Sequence, residues 1–167
     1  YKKIAEIIMD SKSDIVCLQE VHSYYHLFLL KRYLKGFSYI AYKKFLFGPK
    51  GGLVIFSKMP IENILYRNYA HLGNVQDISF YTLLIRNGVL ICKLKDSPLI
   101  VMTTHLVTDF EFDWSPENKL YEIVADQVKQ AAETVNEFGR KGTDIIITGD
   151  FNMAKNSKLY TQFLETT

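Results

Sequence analysis

The chain has 167 residues, 48% of them hydrophobic and 23% charged, with a formal net charge of +2. That is enough apolar sequence for a folded core, which excludes a disordered or fibrous protein, and two cysteines are too few for a disulfide framework. The charge balance is too mild to signal a nucleic-acid footprint by itself, no apolar run is long enough to cross a bilayer, and no basic segment with an apolar signal core opens the chain. A single domain over residues 1–167 is expected, soluble, with the choice between cytoplasmic and secreted left open. The aromatic richness reads mainly as large core residues, and Cys17 and Cys92, each inside an apolar run, read as small core hydrophobes.

In chain order, Ile4, Ile7 and Ile8 recur at helical spacing and predict a helix over 1–11. An all-apolar strand over 15–18, covered on both faces, delivers Gln19 and Glu20 at its end. Leu27, Leu30 and Leu34 form the stripe of a helix over 23–35 with Gly36 as its stop, and a strand over 37–42 follows. The loop 43–50 mixes lysines with two phenylalanines and a Gly-Pro corner. It is a substrate-side candidate, suited to stacking on a base or touching a lipid surface, and Lys50 closes it.

Gly51 and Gly52 open a strand over 53–57, and Pro60 turns the chain into a run from Ile61. An irregular loop over 68–78 carries His71 and Asp77; with His22 and His26, His71 reads as a surface or satisfied core group rather than a ligand. Arg86-Asn87-Gly88 predicts a hairpin between strands 81–85 and 89–94, and Asp96-Ser97-Pro98 a second one leading to a strand over 99–103. That strand ends in His105. The loop 106–114 interleaves Asp109, Glu111 and Asp113 with Phe110, Phe112 and Trp114.

Ser115 as N-cap and Pro116 at the first position then begin a helix whose stripe runs Leu120, Ile123, Val124, Val128, Ala131, Val135 and Phe138, ended by Gly139. Gln127 lies at the edge of that stripe, where a buried amide needs partners. The last strand, 145–148, reads as buried on both faces and turns at Gly149 to present Asp150 and Asn152. Helices around an antiparallel meander predict a layered α/β sandwich of two packed, mostly antiparallel sheets flanked by helices. Four strands discharging Glu, His, Asp and Asn at their ends predict one cleft at a sheet edge.

Four motifs, in order, carry a resemblance: Leu18-Gln19-Glu20, the ten residues from Gly52 to Ile61, Thr104-His105-Leu106, and Gly149-Asp150-Phe151-Asn152. With them the chain resembles the endonuclease/exonuclease/phosphatase superfamily, which has the deoxyribonuclease-I-like fold. The second and third motifs are most similar to its sphingomyelinase-like or uncharacterised bacterial branch. The resemblance implies that Glu20 holds Mg²⁺, with Mn²⁺ or another divalent cation as a substitute, that Asp150 orients or deprotonates the attacking water, that Asn152 bonds the phosphate, and that His105 stabilises the phosphoryl group or assists proton transfer. Gln127, Trp114 and Lys50 are candidate substrate contacts. The family pattern has an Arg three residues before Gln127, where this chain has Val124.

The pattern also includes an Asn on a strand before the opening helix and a carboxy-terminal Ser-Asp-His segment. Neither is found in 1–167, so the expectation is a fragment incomplete at both ends and weakly active or inactive alone. Phosphodiester hydrolysis needs charge neutralisation on the phosphoryl oxygens, an activated water and a stabilised leaving oxygen. The expected function is accordingly a metal-dependent phosphoester hydrolase, leaning to a lipid or small-molecule phosphodiester. Its alternatives are an endonuclease on DNA or RNA and a catalytically silent binding module of the same fold. The expected partners are a phospholipid headgroup or a nucleic acid, with peripheral membrane contact.

Overall fold

In the computed structural model, residues 1–72, 85–108, 113–139 and 142–167 are described. Helix α1 (Lys2–Asp10) precedes strand β1 (Ile15–Leu18), helix α2 (Tyr24–Tyr33) and strands β2 (Tyr39–Ala41), β3 (Val54–Ser57), β4 (Ile61–Asn68), β5 (Gly88–Leu94) and β6 (Leu99–His105). Helix α3 (Tyr121–Phe138), strand β7 (Asp144–Asp150) and helix α4 (Lys158–Thr166) complete the described order. One sheet runs β1-β3-β2, all antiparallel; the other runs β4-β5-β6-β7, with β6 and β7 parallel.

The two-residue period of the strands sorts their side chains into layers. Leu53 and Ile55 pack with Leu90, Cys92, Leu94 and Val101 between the two sheets. Val54 and Phe56 face the other way, against Ala5, Leu27, Leu30 and Leu34 of α1 and α2. On the far side, Val89, Ile91, Ile100 and Met102 meet Val124, Val128 and Ala131 of α3 and Leu159 and Phe163 of α4. The result is a helix–sheet–sheet–helix sandwich with three apolar seams.

Several expectations are corrected. The strand 89–94 has β4 on one side and β6 on the other, so both its edges are occupied over Val89–Lys93. Residues 81–84 and Asp77 lie outside the described residues, as do Asp109, Phe110, Glu111 and Phe112. Helix α3 begins at Tyr121 rather than Pro116. Polar side chains of 113–120 bond the local backbone instead, Asp113 accepting from the Ser115 N–H and Asn118 from the Leu120 N–H, and the stretch runs in turns. Neither β1 nor β7 is buried on both faces. The residues of β1 are half-buried, and Ile146 on β7 is 49% exposed. The hairpin through Asp96 is present as β5 and β6, and Gly139 caps α3 as expected. Helix α4, with Ser157 capping the Tyr160 N–H, had no counterpart among the predicted elements.

Candidate functional site

Parallel pairing of β6 with β7 sets His105 and Asp150 opposite each other as Cα partners at the ends of their strands. Gly149, one residue earlier, pairs with Thr104 so closely that a Cβ there would lie 2.1 Å from the Thr104 carbonyl oxygen, at φ +149. Only glycine permits the approach, and the approach brings the two strand ends level. The Leu106 N–H donates to the Asp150 carbonyl at 3.0 Å, extending the ladder past His105.

Asn152 is bound on every side the local chain offers. Its backbone N–H donates to Asp150 Oδ1 at 2.9 Å, which fixes that carboxylate. Its side-chain Nδ2 donates to the Leu106 carbonyl at 2.9 Å and to Thr108 Oγ1 at 3.1 Å. Its carbonyl accepts from Trp114 Nε1 at 2.8 Å. These bonds hold Asn152 at φ +47, the left-handed region, which Asn enters at modest cost. Trp114, expected at the substrate, thus also braces the backbone of Asn152. It lines, with Asp150, Asn152, Met153, Tyr160 and Phe163, an open cleft of about 920 Å³.

The other sheet supplies Glu20. It too has a left-handed backbone, φ +60, although it is not glycine. The bond from the Val21 N–H to the Gly52 carbonyl at 2.9 Å and that from the His22 N–H to the Glu20 carbonyl at 2.9 Å hold the bend. Gly52 lies so close beneath that a Cβ there would meet the His22 ring at 2.8 Å and Glu20 Cα at 3.2 Å. The two sheets are tied near this end by Gln19 Nε2, which donates to Thr103 Oγ1 at 2.9 Å.

His22 links the halves. Burial pushes its pKa below the usual imidazole value, Glu20 pulls it up, and His105 and His26 push it down, so the Glu20 carboxylate and the His105 ring both lie within electrostatic reach of one imidazole. Sequence reasoning set His22 aside as a lone histidine. Its spacing of two from Glu20 carries no strand-face signal, because the chain bends at Glu20 instead of running extended. Gln19 and Thr108 were missed as well, and nothing in their local pattern marks them.

One candidate sits behind the surface of the site. Gln127 is 0% exposed; its Oε1 accepts from the Val107 N–H at 3.0 Å and its Nε2 donates to the His71 carbonyl at 2.9 Å. It is a clamp behind the loop that follows His105, which corrects its expected place at the substrate, and it shows the partners a buried amide needs. Val124, one turn earlier on α3, is 2% exposed within the apolar seam, so an arginine has no room for its charge there. Lys50 lies over the rings of Phe45 and Tyr66, at 5.4 and 5.2 Å, and burial, then Arg86 and Lys43, lower its pKa.

The family model described as "Endonuclease/Exonuclease/phosphatase family" matches residues 1–167. A beta toxin from Staphylococcus aureus, in a crystal structure with bound magnesium ions, is similar at 17% identity and TM-score 0.76, over 99% of this chain and 61% of that one. Sphingomyelinase C from Streptomyces griseocarneus is similar at 16% identity and TM-score 0.71, over 99% and 62%. TDP2 from C. elegans is similar at 20% identity and TM-score 0.69, over 92% and 42%. At these identities the likeness establishes the fold, which is deoxyribonuclease-I-like, and the chain spans less than two thirds of each of these proteins. No curated protein matches the sequence.

Proposed function

The chain belongs to the endonuclease/exonuclease/phosphatase family, and from that premise we propose that its site hydrolyses a phosphodiester bond with a divalent cation, Mg²⁺, and that the substrate is a lipid or small-molecule phosphodiester. The observation that carries this reading is the pairing of His105 with Asp150 across β6 and β7, with Asn152 bonded to the same carboxylate. An imidazole, a carboxylate and an amide at one strand edge are the groups that a hydrolytic attack on a phosphoryl centre requires.

Asp150 is exposed, and the Asn152 N–H on Oδ1 orients it so that its other oxygen can take a proton from an attacking water. His105 donates to the phosphoryl oxygens as charge builds on them. Asn152 reaches the phosphate by exchanging its bond to Thr108, the longer of its two side-chain bonds. Trp114 keeps the backbone of Asn152 in place through that exchange. Glu20, an exposed carboxylate on the facing sheet, is the hard oxygen donor that Mg²⁺ prefers. Among the described residues no three His, Cys, Asp or Glu side chains gather around a point, so Glu20 would hold the ion together with waters and substrate oxygens. Bound there, the cation supplies charge neutralisation on the phosphoryl oxygens and on the leaving oxygen.

The test is calorimetric titration of Mg²⁺ into the protein and into Glu20→Gln, followed by turnover of sphingomyelin, phosphoinositides and plasmid DNA side by side. Binding that Glu20→Gln abolishes, with turnover of a lipid diester, is the expected result; turnover of DNA alone replaces the lipid reading with the endonuclease one. A silent binding module is the second reading, favoured by the commitment of both Asn152 amide hydrogens to Leu106 and Thr108. Identical titrations for the two proteins would establish it.

A further inference from the structure

Charge and aromatic side chains are distributed unevenly along the chain. Residues 21–61 contain no Asp or Glu, seven cations (Lys31, Arg32, Lys35, Lys43, Lys44, Lys50 and Lys58), and ten of the aromatic residues. This stretch includes α2 and the turn between β2 and β3, and the turn carries two bare apolar side chains, Leu46 at 62% and Phe47 at 77% exposed. Phe47 is the most exposed large hydrophobic side chain among the described residues. Tyr25 and Phe28 on α2 are exposed as well, at 66% and 56%.

The turn is held in shape by backbone bonds on either side of its tip. Lys44 bridges to Pro49, the Lys50 N–H donates to the Lys43 carbonyl at 2.7 Å, and the Phe45 N–H donates to the Gly48 carbonyl at 3.1 Å. Tyr24, the first residue of α2, fastens the turn to the helix. Its N–H donates to the Phe47 carbonyl at 3.0 Å, and its hydroxyl donates to the Phe45 carbonyl at 2.7 Å. Each such bond takes up a backbone group that would otherwise oppose the turn's leaving water for an acyl boundary. The turn is also joined to the Glu20 end of the site: Gly48 rests on the backbone of His22, where a Cβ would be 2.6 Å from its carbonyl oxygen, and Gly52 rests on the His22 ring.

We propose that the turn 43–50 is a membrane wedge, in which Leu46 and Phe47 enter the headgroup layer of an anionic bilayer while Lys43 and Lys44 bind its surface charge, bringing Glu20 to a lipid headgroup. The proposal rests on the phosphodiesterase reading for its purpose and on the turn alone for its mechanism. Stable attachment takes two signals, an apolar insertion and a basic patch, and both occur here within eight residues. A bilayer is favoured over a nucleic acid because one of the two tip side chains is aliphatic; a strand of bases selects successive aromatic faces.

The test is flotation of the 167-residue chain with vesicles of phosphatidylcholine containing about a third phosphatidylserine, in EDTA so that no turnover occurs. The wild-type chain and Glu20→Gln float equally. The Leu46→Ser, Phe47→Ser double variant binds at least about tenfold more weakly, with unchanged circular dichroism and melting. Each of Lys43→Gln and Lys44→Gln loses about fivefold. Phe47→Trp shifts its added fluorescence to the blue when vesicles are present. Equal flotation of the double variant would reduce the contact to charge adsorption and overturn the wedge. So would a double variant that loses affinity for a single-stranded oligonucleotide while keeping its vesicle binding. Vesicle binding without diester hydrolysis would leave the wedge standing and remove the catalytic reading, whereas hydrolysis of a soluble diester without vesicle binding would do the reverse.

Discussion

The two sheets contribute to the site in different ways. At the end of β6 and β7, strand register, a glycine contact and four hydrogen bonds on Asn152 fix His105, Asp150 and Asn152 before any ligand arrives. At the end of β1, Glu20 is presented on a single bend with its carboxylate in solvent. The half to which the proposal assigns water and phosphoryl oxygens is preorganised, where a small misplacement costs rate. The half assigned to a hydrated cation is left open, as an ion that keeps several waters needs room around its ligand.

The contrast can be broken at its centre by Asp150→Asn. The variant keeps Oδ1 as acceptor for the Asn152 N–H, so stability should change by less than about 0.5 kcal/mol, while turnover of the accepted diester falls by about 10²–10⁴-fold. Parallel denaturation and rate measurements check both. Gly149→Ala attacks the register itself. A Cβ at 2.1 Å from the Thr104 carbonyl oxygen forces the strands apart, and a loss of about 3 kcal/mol is expected in urea denaturation. Gly142→Ala is its control. That glycine has φ +83, but a Cβ added to it would meet nothing within 4 Å, so only the backbone strain of about 1 kcal/mol applies.

Gln127→Leu sharpens the comparison from behind, by stripping the buried Val107 N–H and His71 carbonyl of their partners. It should cost about 2 kcal/mol and lower turnover through the loop after His105, with Mg²⁺ affinity at Glu20 unchanged. The smallest effect is with pH. Burial raises the Cys92 thiol from 9.0 to about 11, and burial likewise raises Tyr66 and Tyr69. The folded state keeps protons that the unfolded chain releases. The Cys92 contribution is therefore full below pH 9.0 and declines as pH rises from there through about 11, and that of the tyrosines begins to decline only above pH 10.0. A melting series across that window should fall steadily, with no matching decline between neutral pH and the start of the window from these three groups.

Much of this architecture was legible because it rests on short-range pattern. Apolar runs ending in Glu20, His105 and Asp150 announced strand ends, and Asp96-Ser97-Pro98 announced the β5–β6 turn. The order of the four motifs fixed the fold. What escaped depends on partners distant in sequence. The pairing of β5 with β4 reaches across an intervening segment, which the local Asn87-Gly88 signal could not reveal. Pro116 and Ser115 are good helix openers, yet the Asn118 side chain takes the Leu120 N–H, which a helix from Pro116 would have used. Sequence reasoning puts Gln127 at the edge of its stripe and at the substrate, because its position there does not reveal that two backbone groups from other segments take up its amide. His22 became informative only once Gly52 packed against its ring.

Strand β7 has β6 on one side and, among the described residues, no strand on the other. A free edge carrying Ile146 at 49% exposure is a template for self-association. Antiparallel addition of a second copy centred on Ile147 would set Asp144 of each chain opposite Asp150 of the other, two facing carboxylate pairs flanking the apolar middle. Repulsion at both ends makes that register unfavourable, so the two aspartates that bracket β7 oppose pairing of two copies in that register.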